Sequence, residues 1–114
     1  MDASISAIIA KSLDGLALRS AAVAQNIANS NSASYRRLSV SFESALRDVA
    51  ARGPDAIAGL WIETKAAANA APGSAIRTDL ELATASETAM RYGALIDILG
   101  RELQLQRAII RGGQ

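Results

Sequence analysis

Cysteine and histidine are both absent from the 114 residues of this chain. The absence of cysteine excludes disulfides, and the absence of both residue types removes the usual ligands of zinc and iron and the commonest catalytic nucleophiles and bases. Serine and aspartate are plentiful, but the carboxylates do not cluster in the sequence, so a nucleophilic serine would lack a base. We therefore expect no enzymatic activity, no metal site and no cofactor.

Aromatic residues are also scarce, at 4% of the chain, although half of all residues are apolar. Alanine is the leading apolar residue, so the core should be thin and aliphatic and should suit helices that approach closely. The formal net charge is +1, and the basic residues are spread along the chain. This distribution predicts neither a nucleic-acid surface nor a helix that lies on a membrane.

Long apolar runs are missing as well. No segment reaches the roughly 18 to 20 uninterrupted apolar residues of a membrane span, so we expect no direct membrane insertion. The first residues include no basic leader, and their apolar run is broken at Lys11. This is a poor secretory signal peptide, so the protein either stays in the cytoplasm or leaves by a route that cleaves nothing.

The N-terminal segment, from about residue 4 to residue 29, has a helical pattern. Its apolar residues recur at steps of three, four or seven, which places them in one stripe. The stripe consists of Ile5, Ile9, Leu13, Leu16, Val23 and Ile27. Gly15 should weaken this helix by about 1 kcal/mol relative to alanine. Asparagines at positions 26, 29 and 31 are poor helix formers and good terminators, so they predict its end.

The C-terminal segment, from about residue 79 to residue 111, has a heptad pattern typical of a coiled coil. Its seam is formed by Leu82, Ala85, Ala89, Tyr92, Ile96, Leu99, Leu103 and Ile110, with Gln106 as the one polar gap. Thr78 and Glu81 have the spacing of a capping box. A helix about 45 to 50 Å long is too long for a compact domain of this size. A second apolar row, at Ile98, Leu105 and Ile109, implies neighbours in an assembly.

The middle of the chain is less regular. Residues 42 to 51 predict a short helix, and residues 60 to 64 alternate loosely enough for one short strand. Residues 66 to 74 predict a flexible loop or a frayed helix. The predicted fold class is mainly α: a long antiparallel, coiled-coil-like pair of N- and C-terminal helices with a small, partly irregular middle. The three segments, 1–35, 36–77 and 78–114, should form one domain.

Two stretches of the chain resemble a known family. Residues 18 to 29, with the core Asn26-Ile27-Ala28-Asn29, resemble the signature of flagellar basal-body rod, hook and hook-associated proteins. The family's usual Thr-Pro-Gly-Tyr turn is replaced here by Ser32-Ala33-Ser34-Tyr35, which keeps only the tyrosine. The sequence from Thr78 to Gly113 resembles the ending of the proximal-rod subunit of the FlgB type. The resemblance covers roughly residues 13 to 46 and 78 to 113.

The resemblance implies a structural subunit of the proximal rod that assembles through its terminal helices and transmits torque. Its partners would be other rod subunits, the rod adaptor at the membrane ring and the flagellar type III export gate, and it would reach the periplasmic rod without a cleaved signal peptide. The assembly motif would comprise Asn26, Ile27, Ala28, Asn29, Asn31 and Tyr35. The helix-packing seam would comprise Ile9, Leu13, Leu16, Val23, Ile27, Tyr92, Ile96, Leu99, Leu103 and Ile110.

The resemblance also implies an export signal, because such subunits carry an apolar pair shortly after the asparagine-rich turn. Phe42 and Leu46 match in spacing and position. An i, i+4 pair lies on one helix face, so simple packing of the short middle helix explains the pair equally well. The alternative to a rod subunit is a cytoplasmic helical adaptor or export chaperone whose apolar stripes cover a client helix.

Overall fold

The computed structural model describes residues 1–113, which form a helical hairpin with extents of 64 × 27 × 14 Å. Its elements follow the order α1 (Ala3–Ala28), β1 (Leu38–Ser39), α2 (Glu43–Ala50), α3 (Pro54–Ala58), β2 (Lys65–Ala66) and α4 (Thr78–Gly112). The two long helices, α1 and α4, pack against each other, and the short elements between them cover part of α1. The predicted fold class is confirmed.

Polar contacts at both ends of the hairpin show that α1 and α4 are antiparallel. Near the start of α1, the ammonium group of Met1 donates to the carboxylate of Glu102. Near the end of α1, Asn26 donates to Glu81 in the first turn of α4. Because α1 begins opposite residue 102, the last turns of α4 project past it. We call residues 103–112 the α4 overhang.

The ends of α1 follow from local sequence. The side chain of Asp2 accepts a hydrogen bond from the backbone N–H of Ser4 and caps the start. At the other end, both the backbone N–H and the side-chain Nδ2 of Asn29 donate to the carbonyl of Gln25. The last carbonyls of a helix have no partner within the helix, and the asparagine supplies donors to one of them. The predicted termination in the asparagine cluster is therefore confirmed.

The predicted capping box at the start of α4 is wrong. Thr78 is already the first helical residue, and Arg77 occupies the cap without a side-chain hydrogen bond to the helix. The carboxylate of Glu81 does not turn back to the backbone, because it lies buried beside Arg37 and Asn26. A contact with a distant part of the chain has replaced the local one.

The middle segment contains one antiparallel strand pair, with Leu38 opposite Ala66 and Ser39 opposite Lys65. The strand predicted at residues 60 to 64 is wrong, because this stretch is irregular and the strand begins at Lys65. Here the backbone carbonyl of Leu60 accepts a hydrogen bond from the Nζ of Lys11 at 3.0 Å rather than from a neighbouring strand. The short helix α2 is confirmed, within the predicted limits of residues 42 to 51.

The core lies where the middle segment packs on α1. It consists of Leu16, Ala22, Val40, Phe42, Leu46 and Ile57. Gly15 makes the closest approach, because a Cβ atom on it would lie 2.5 Å from the ring of Phe42. The glycine that weakens α1 as a helix thus provides the space in which the largest core side chain packs.

The face of α4 that lies toward α1 differs from the predicted seam. Glu81 and Thr88 are buried there, and Leu95, one heptad further, is half-buried and packs against the core. Of the five α4 residues in the predicted helix-packing seam, Leu99 is half-buried and the other four are exposed. These are Tyr92, Ile96, Leu103 and Ile110. The prediction that the seam packs on α1 is wrong for these four, because the hairpin uses the adjacent, more polar side of α4.

On α1, the predicted stripe lies mostly inside the hairpin. Ile9, Leu16 and Val23 are buried, and Leu13 and Ile27 are half-buried. Among residues 1–113, no helix combines the length and the apolar character that crossing a bilayer requires.

Candidate functional site

Asn26 is the centre of a buried hydrogen-bond network at the end of α1. Its side chain is fully buried. Its Nδ2 donates to the carbonyl of Leu38 at 2.9 Å and to Oε2 of Glu81 at 3.1 Å. Its Oδ1 accepts from the N–H of Leu38 at 2.8 Å and from the hydroxyl of Tyr35 at 2.7 Å. A carboxamide has two donors and two acceptor sites, so the group is fully satisfied and joins α1, the following turn, β1 and α4.

Glu81 contributes the charge in this network. It is 2% exposed, and its Oε1 accepts from Nε of Arg37 while its Oε2 accepts from Asn26. A buried carboxylate is tolerated when it is paired and hydrogen-bonded, and the loss of one partner leaves an uncompensated charge. Arg37 and Asn26 therefore hold the start of α4 at a fixed position against α1.

Tyr35 closes the turn that follows α1. Its hydroxyl donates to Asn26, and burial together with the nearby charge of Glu81 raises its pKa above the ordinary value of a tyrosine. Its backbone carbonyl accepts a hydrogen bond from the N–H of Gly73 at 2.9 Å. This bond holds the loop that precedes α4 against the turn that follows α1. Gly73 has a φ of +78° and lies against the carbonyl of Ala33, where a side chain would clash.

The remaining residues of the predicted assembly motif have different positions. Asn29 ends α1, as described above, and its Oδ1 accepts from the hydroxyl of Ser32 at 3.4 Å. Ile27 is half-buried, whereas Ala28 and Asn31 are exposed. Within the single chain, the motif thus divides into an inward part, which fixes the hairpin, and an outward part on the surface.

A second network, which the sequence did not reveal, lies around Arg19 at the middle of α1. Its guanidinium donates to both carboxylate oxygens of Glu43, at 2.8 and 2.7 Å, and to the carbonyl of Val40. Its Cζ lies 5.0 Å from the centre of the Phe42 ring. Arg91 of α4 donates to the same carboxylate at 3.2 Å. The hydrogen bonds from Arg19 lower the pKa of Glu43 to about 2.

Glu43 thereby links α1, α2 and α4 through one carboxylate. The only sequence signal for this network is the position of Arg19, which is the one charged residue between Asp14 and Arg36. A cation among small and apolar residues on a packed helix needs a partner, but the sequence does not say which of 11 carboxylates it is.

Phe42 and Leu46, the proposed export pair, are both buried in the core. The ring of Phe42 packs on Gly15, and Leu46 belongs to the same cluster. The pair is therefore covered in the folded chain, and an export receptor could contact it only after unfolding.

Most of the exposed large apolar residues among residues 1–113 lie on α4. Leu103, Leu105, Ile109 and Ile110 of the α4 overhang are 54% to 66% exposed. Further back along the helix, Leu80, Leu82, Met90, Ile96 and Ile98 are exposed as well. Exposed apolar residues in such number on one helix indicate an interaction surface.

No protein-family model matches this chain, and no curated protein matches it either. The residues described above, together with the resemblance at the two ends of the chain, therefore carry the functional interpretation.

Proposed function

We propose that this chain is a structural subunit of the bacterial flagellar rod, of the proximal type, which joins the rod adaptor at the membrane ring to later rod subunits. The observation that carries the proposal is the uncovered apolar surface of α4, which extends along the helix and past the end of α1. A subunit of this kind transmits torque through geometry and turns over no substrate.

The hairpin has the form that such a role requires. A long helical hairpin presents a continuous surface on each side, and its apolar rows can be covered only by neighbouring molecules. Tyr92, Ile96, Leu103 and Ile110 belong to the heptad seam, yet they do not contact α1 closely enough to be buried. In a coiled-coil assembly, a neighbouring helix would cover this row.

The inward part of the asparagine motif supports the same role. A subunit that transmits torque needs a fixed relation between its two terminal helices. The network of Asn26, Tyr35 and Glu81 fixes that relation by joining both helices and the turn between them. On this proposal the motif positions the assembling surfaces and does not itself bind a neighbour.

The proposal includes the route and the place of action. The subunit passes the flagellar type III export gate uncleaved and functions in the periplasmic rod. A cytoplasmic helical adaptor or export chaperone would use the same exposed row of α4 to cover a client helix, and it would remain inside the cell.

Two single substitutions on the seam test the proposal. Ile96 is exposed, so Ile96→Asp should leave the stability of the purified chain within about 0.5 kcal/mol of wild type. In the bacterium, the exported variant should fail to build a rod, because it places a charge in a dry interface. Leu99 is half-buried, so Leu99→Asp should lower the stability as well. Normal motility of cells that carry Ile96→Asp would contradict the proposal.

A further inference from the structure

The two-stranded sheet of the middle segment has one covered edge and one open edge. At the covered edge, the carboxamide of Asn26 accepts a hydrogen bond from the N–H of Leu38 at 2.8 Å and donates one to its carbonyl at 2.9 Å. Among residues 1–113, β1 is the only element that packs against β2. Lys65 and Ala66, which form β2, are both exposed. The outer edge of β2 is therefore open to a further strand.

The strand pairing shows which backbone groups point outward at this edge. Leu38 lies directly opposite Ala66, and its N–H and carbonyl bind Asn26 on the side away from β2. Leu38 and Ala66 are thus a non-hydrogen-bonded pair of the antiparallel ladder, so the N–H and carbonyl of Ala66 also point away from the ladder. Outward groups recur at every second residue of a strand, which adds those of Thr64. Thr64 and Ala66 therefore offer donors and acceptors to a neighbouring strand.

Charged and aromatic side chains accompany this edge. Trp61, Glu63 and Lys65 line one cavity of about 400 Å³, as expected for alternate residues on one side of an extended chain. Trp61 is the only tryptophan of the chain and is 81% exposed. The side chains of Glu63 and Lys65 are 51% and 71% exposed, and they form an ion pair at 3.3 Å. Opposite charges two residues apart make a strand complementary to an antiparallel copy of itself.

We infer that β2 pairs with β2 of a second copy of the chain, antiparallel and across a two-fold axis at Thr64. In this register the two copies of Thr64 exchange their N–H and carbonyl groups. Glu63 of each copy lies opposite Lys65 of the other, and opposite charges in such pairs are stabilising. A register centred on Lys65 would place two ammonium groups opposite each other, which is destabilising. Charge complementarity therefore argues both for a second copy and for this register.

The contact joins two sheets into one sheet of four strands, in the order β1, β2, β2, β1. Both outer edges of this sheet are covered, because Asn26 binds the outer side of β1 in each copy. The same surface is used on both copies, so the contact closes as a dimer and does not grow. Trp61 lies diagonally across from Lys65 of the other copy, within reach of a long side chain, and becomes less exposed. The inference concerns β2 and does not rest on the proposed function.

Charge reversal at two positions tests the inference. Glu63→Lys and Lys65→Glu each place like charges opposite each other when the variant pairs with itself. An equimolar mixture of the two variants restores both pairs of opposite charges, and so does the variant that carries both reversals. Asp14→Lys is the matched control, because it makes the same change in charge at an exposed position of α1. All of these positions are exposed, so each variant should retain the wild-type circular dichroism spectrum.

The backbone part of the contact has its own variant. Thr64→Pro leaves Glu63 and Lys65 in place and removes the outward N–H at the centre of the proposed ladder. It should therefore prevent dimerisation. A Thr64→Pro variant that dimerises as wild type does would show that the strands do not pair.

Sedimentation velocity over a series of concentrations measures the association, and the fluorescence of Trp61 reports its environment. Wild type, Asp14→Lys and the doubly reversed variant should dimerise with similar dissociation constants. Each single reversal should weaken dimerisation about tenfold or more. The mixture of the two should form mixed dimers as tight as those of wild type. The emission of Trp61 should shift to shorter wavelength as dimers form.

Two results would overturn the inference. One is a wild-type chain that stays monomeric at every concentration. The other is a single reversal that associates as tightly as wild type, because the association then uses a surface other than β2. In the second case the inference fails, and the proposed function, which depends on α4, still stands.

Discussion

The Nδ2 of Asn26 donates a hydrogen bond to Oε2 of Glu81 across 3.1 Å, and this bond joins two residues that are 55 positions apart. It connects the last turn of α1 to the first turn of α4. Because both groups are buried, the bond cannot be exchanged for one to water without opening the hairpin. The relation between the two long helices thus depends on a polar pair in addition to apolar packing.

Removal of the Asn26 side chain should weaken the contact between α1 and α4. Asn26→Ala removes one hydrogen bond each from the carboxylate of Glu81, the hydroxyl of Tyr35, and the backbone N–H and carbonyl of Leu38. A buried polar group left unsatisfied costs about 1 to 3 kcal/mol, so we expect a loss of roughly 3 kcal/mol in the free energy of unfolding. Chemical denaturation followed by circular dichroism measures it. Asn31→Ala, at an exposed position of the same cluster, should change stability by less than about 0.5 kcal/mol. Equal effects of the two substitutions would refute the role of the network.

The close packing of Gly15 on Phe42 predicts opposite effects for two glycine substitutions. Gly15→Ala should lower the free energy of unfolding by about 1 to 3 kcal/mol, because the new Cβ would overlap the Phe42 ring. Gly93→Ala, in α4, meets nothing within 4 Å and should raise it by up to about 1 kcal/mol through helix propensity. Thermal denaturation of both variants measures whether their stabilities change in opposite directions. Stabilisation by both substitutions would show that Phe42 does not pack on α1 as described.

The ion pair of Arg19 with Glu43 predicts a pH dependence in acid. The pKa of Glu43 is lowered from an ordinary value of 4.5 to about 2 in the folded chain. Its carboxylate therefore binds a proton more readily when the chain is unfolded. The resulting stabilisation is complete above about pH 4.5 and is lost as the pH falls toward 2. Glu43 is 37% exposed, so salt should reduce the effect.

We expect Glu43→Gln to be less stable than wild type at pH 7 and to lose less stability between pH 4.5 and 2. Urea denaturation across this range measures the difference. Glu87→Gln is the control, because that carboxylate is 72% exposed and lies 3.9 Å from Arg91. It should follow the wild-type curve. If Glu43→Gln also follows that curve, the ion pair contributes nothing measurable.

Export recognition of Phe42 and Leu46 can be separated from their packing by a core control. Phe42→Ala with Leu46→Ala removes the pair and also weakens the core. Ile57→Ala weakens the same core at a fully buried position and leaves the pair intact. If the export gate reads the pair in the unfolded chain, only the double variant should remain inside the cell, as measured by immunoblots of secreted and cellular fractions. Equal secretion of both variants would assign the pair to packing alone.

The long elements of the fold were predictable because their signals are local and repeated. The helical period of the apolar residues predicts α1 and α4, and the asparagine cluster predicts the end of α1, which the structure places at Ala28. The capping pattern of Thr78 and Glu81 was misleading, because Arg37 and Asn26 bind the same carboxylate and lie far away in the sequence. A local pattern cannot reveal such a competitor.

The orientation of α4 was mispredicted for a related reason. The sequence pattern predicts the heptad seam as the row of α4 that contacts α1, and the hairpin leaves most of this row exposed. The row that lies toward α1 contains Thr88, whose hydroxyl donates to the carbonyl of Thr84, and Glu81, which is paired with Arg37. Polar groups can be buried when they are hydrogen-bonded, but only the structure shows which of them are. The second network, at Arg19 and Glu43, was missed because its partners are 24 residues apart.

We propose that this chain forms part of the flagellar rod, and the content of isolated basal bodies tests this proposal most directly. Basal bodies purified from the bacterium that encodes the chain can be analysed by quantitative mass spectrometry, with cytoplasm from the same cells as the comparison. The account predicts that the intact chain, with its N-terminal residues uncleaved, is enriched in the basal bodies and remains after washing with high salt. A chain found only in the cytoplasm, with basal bodies that are complete without it, would contradict the claim.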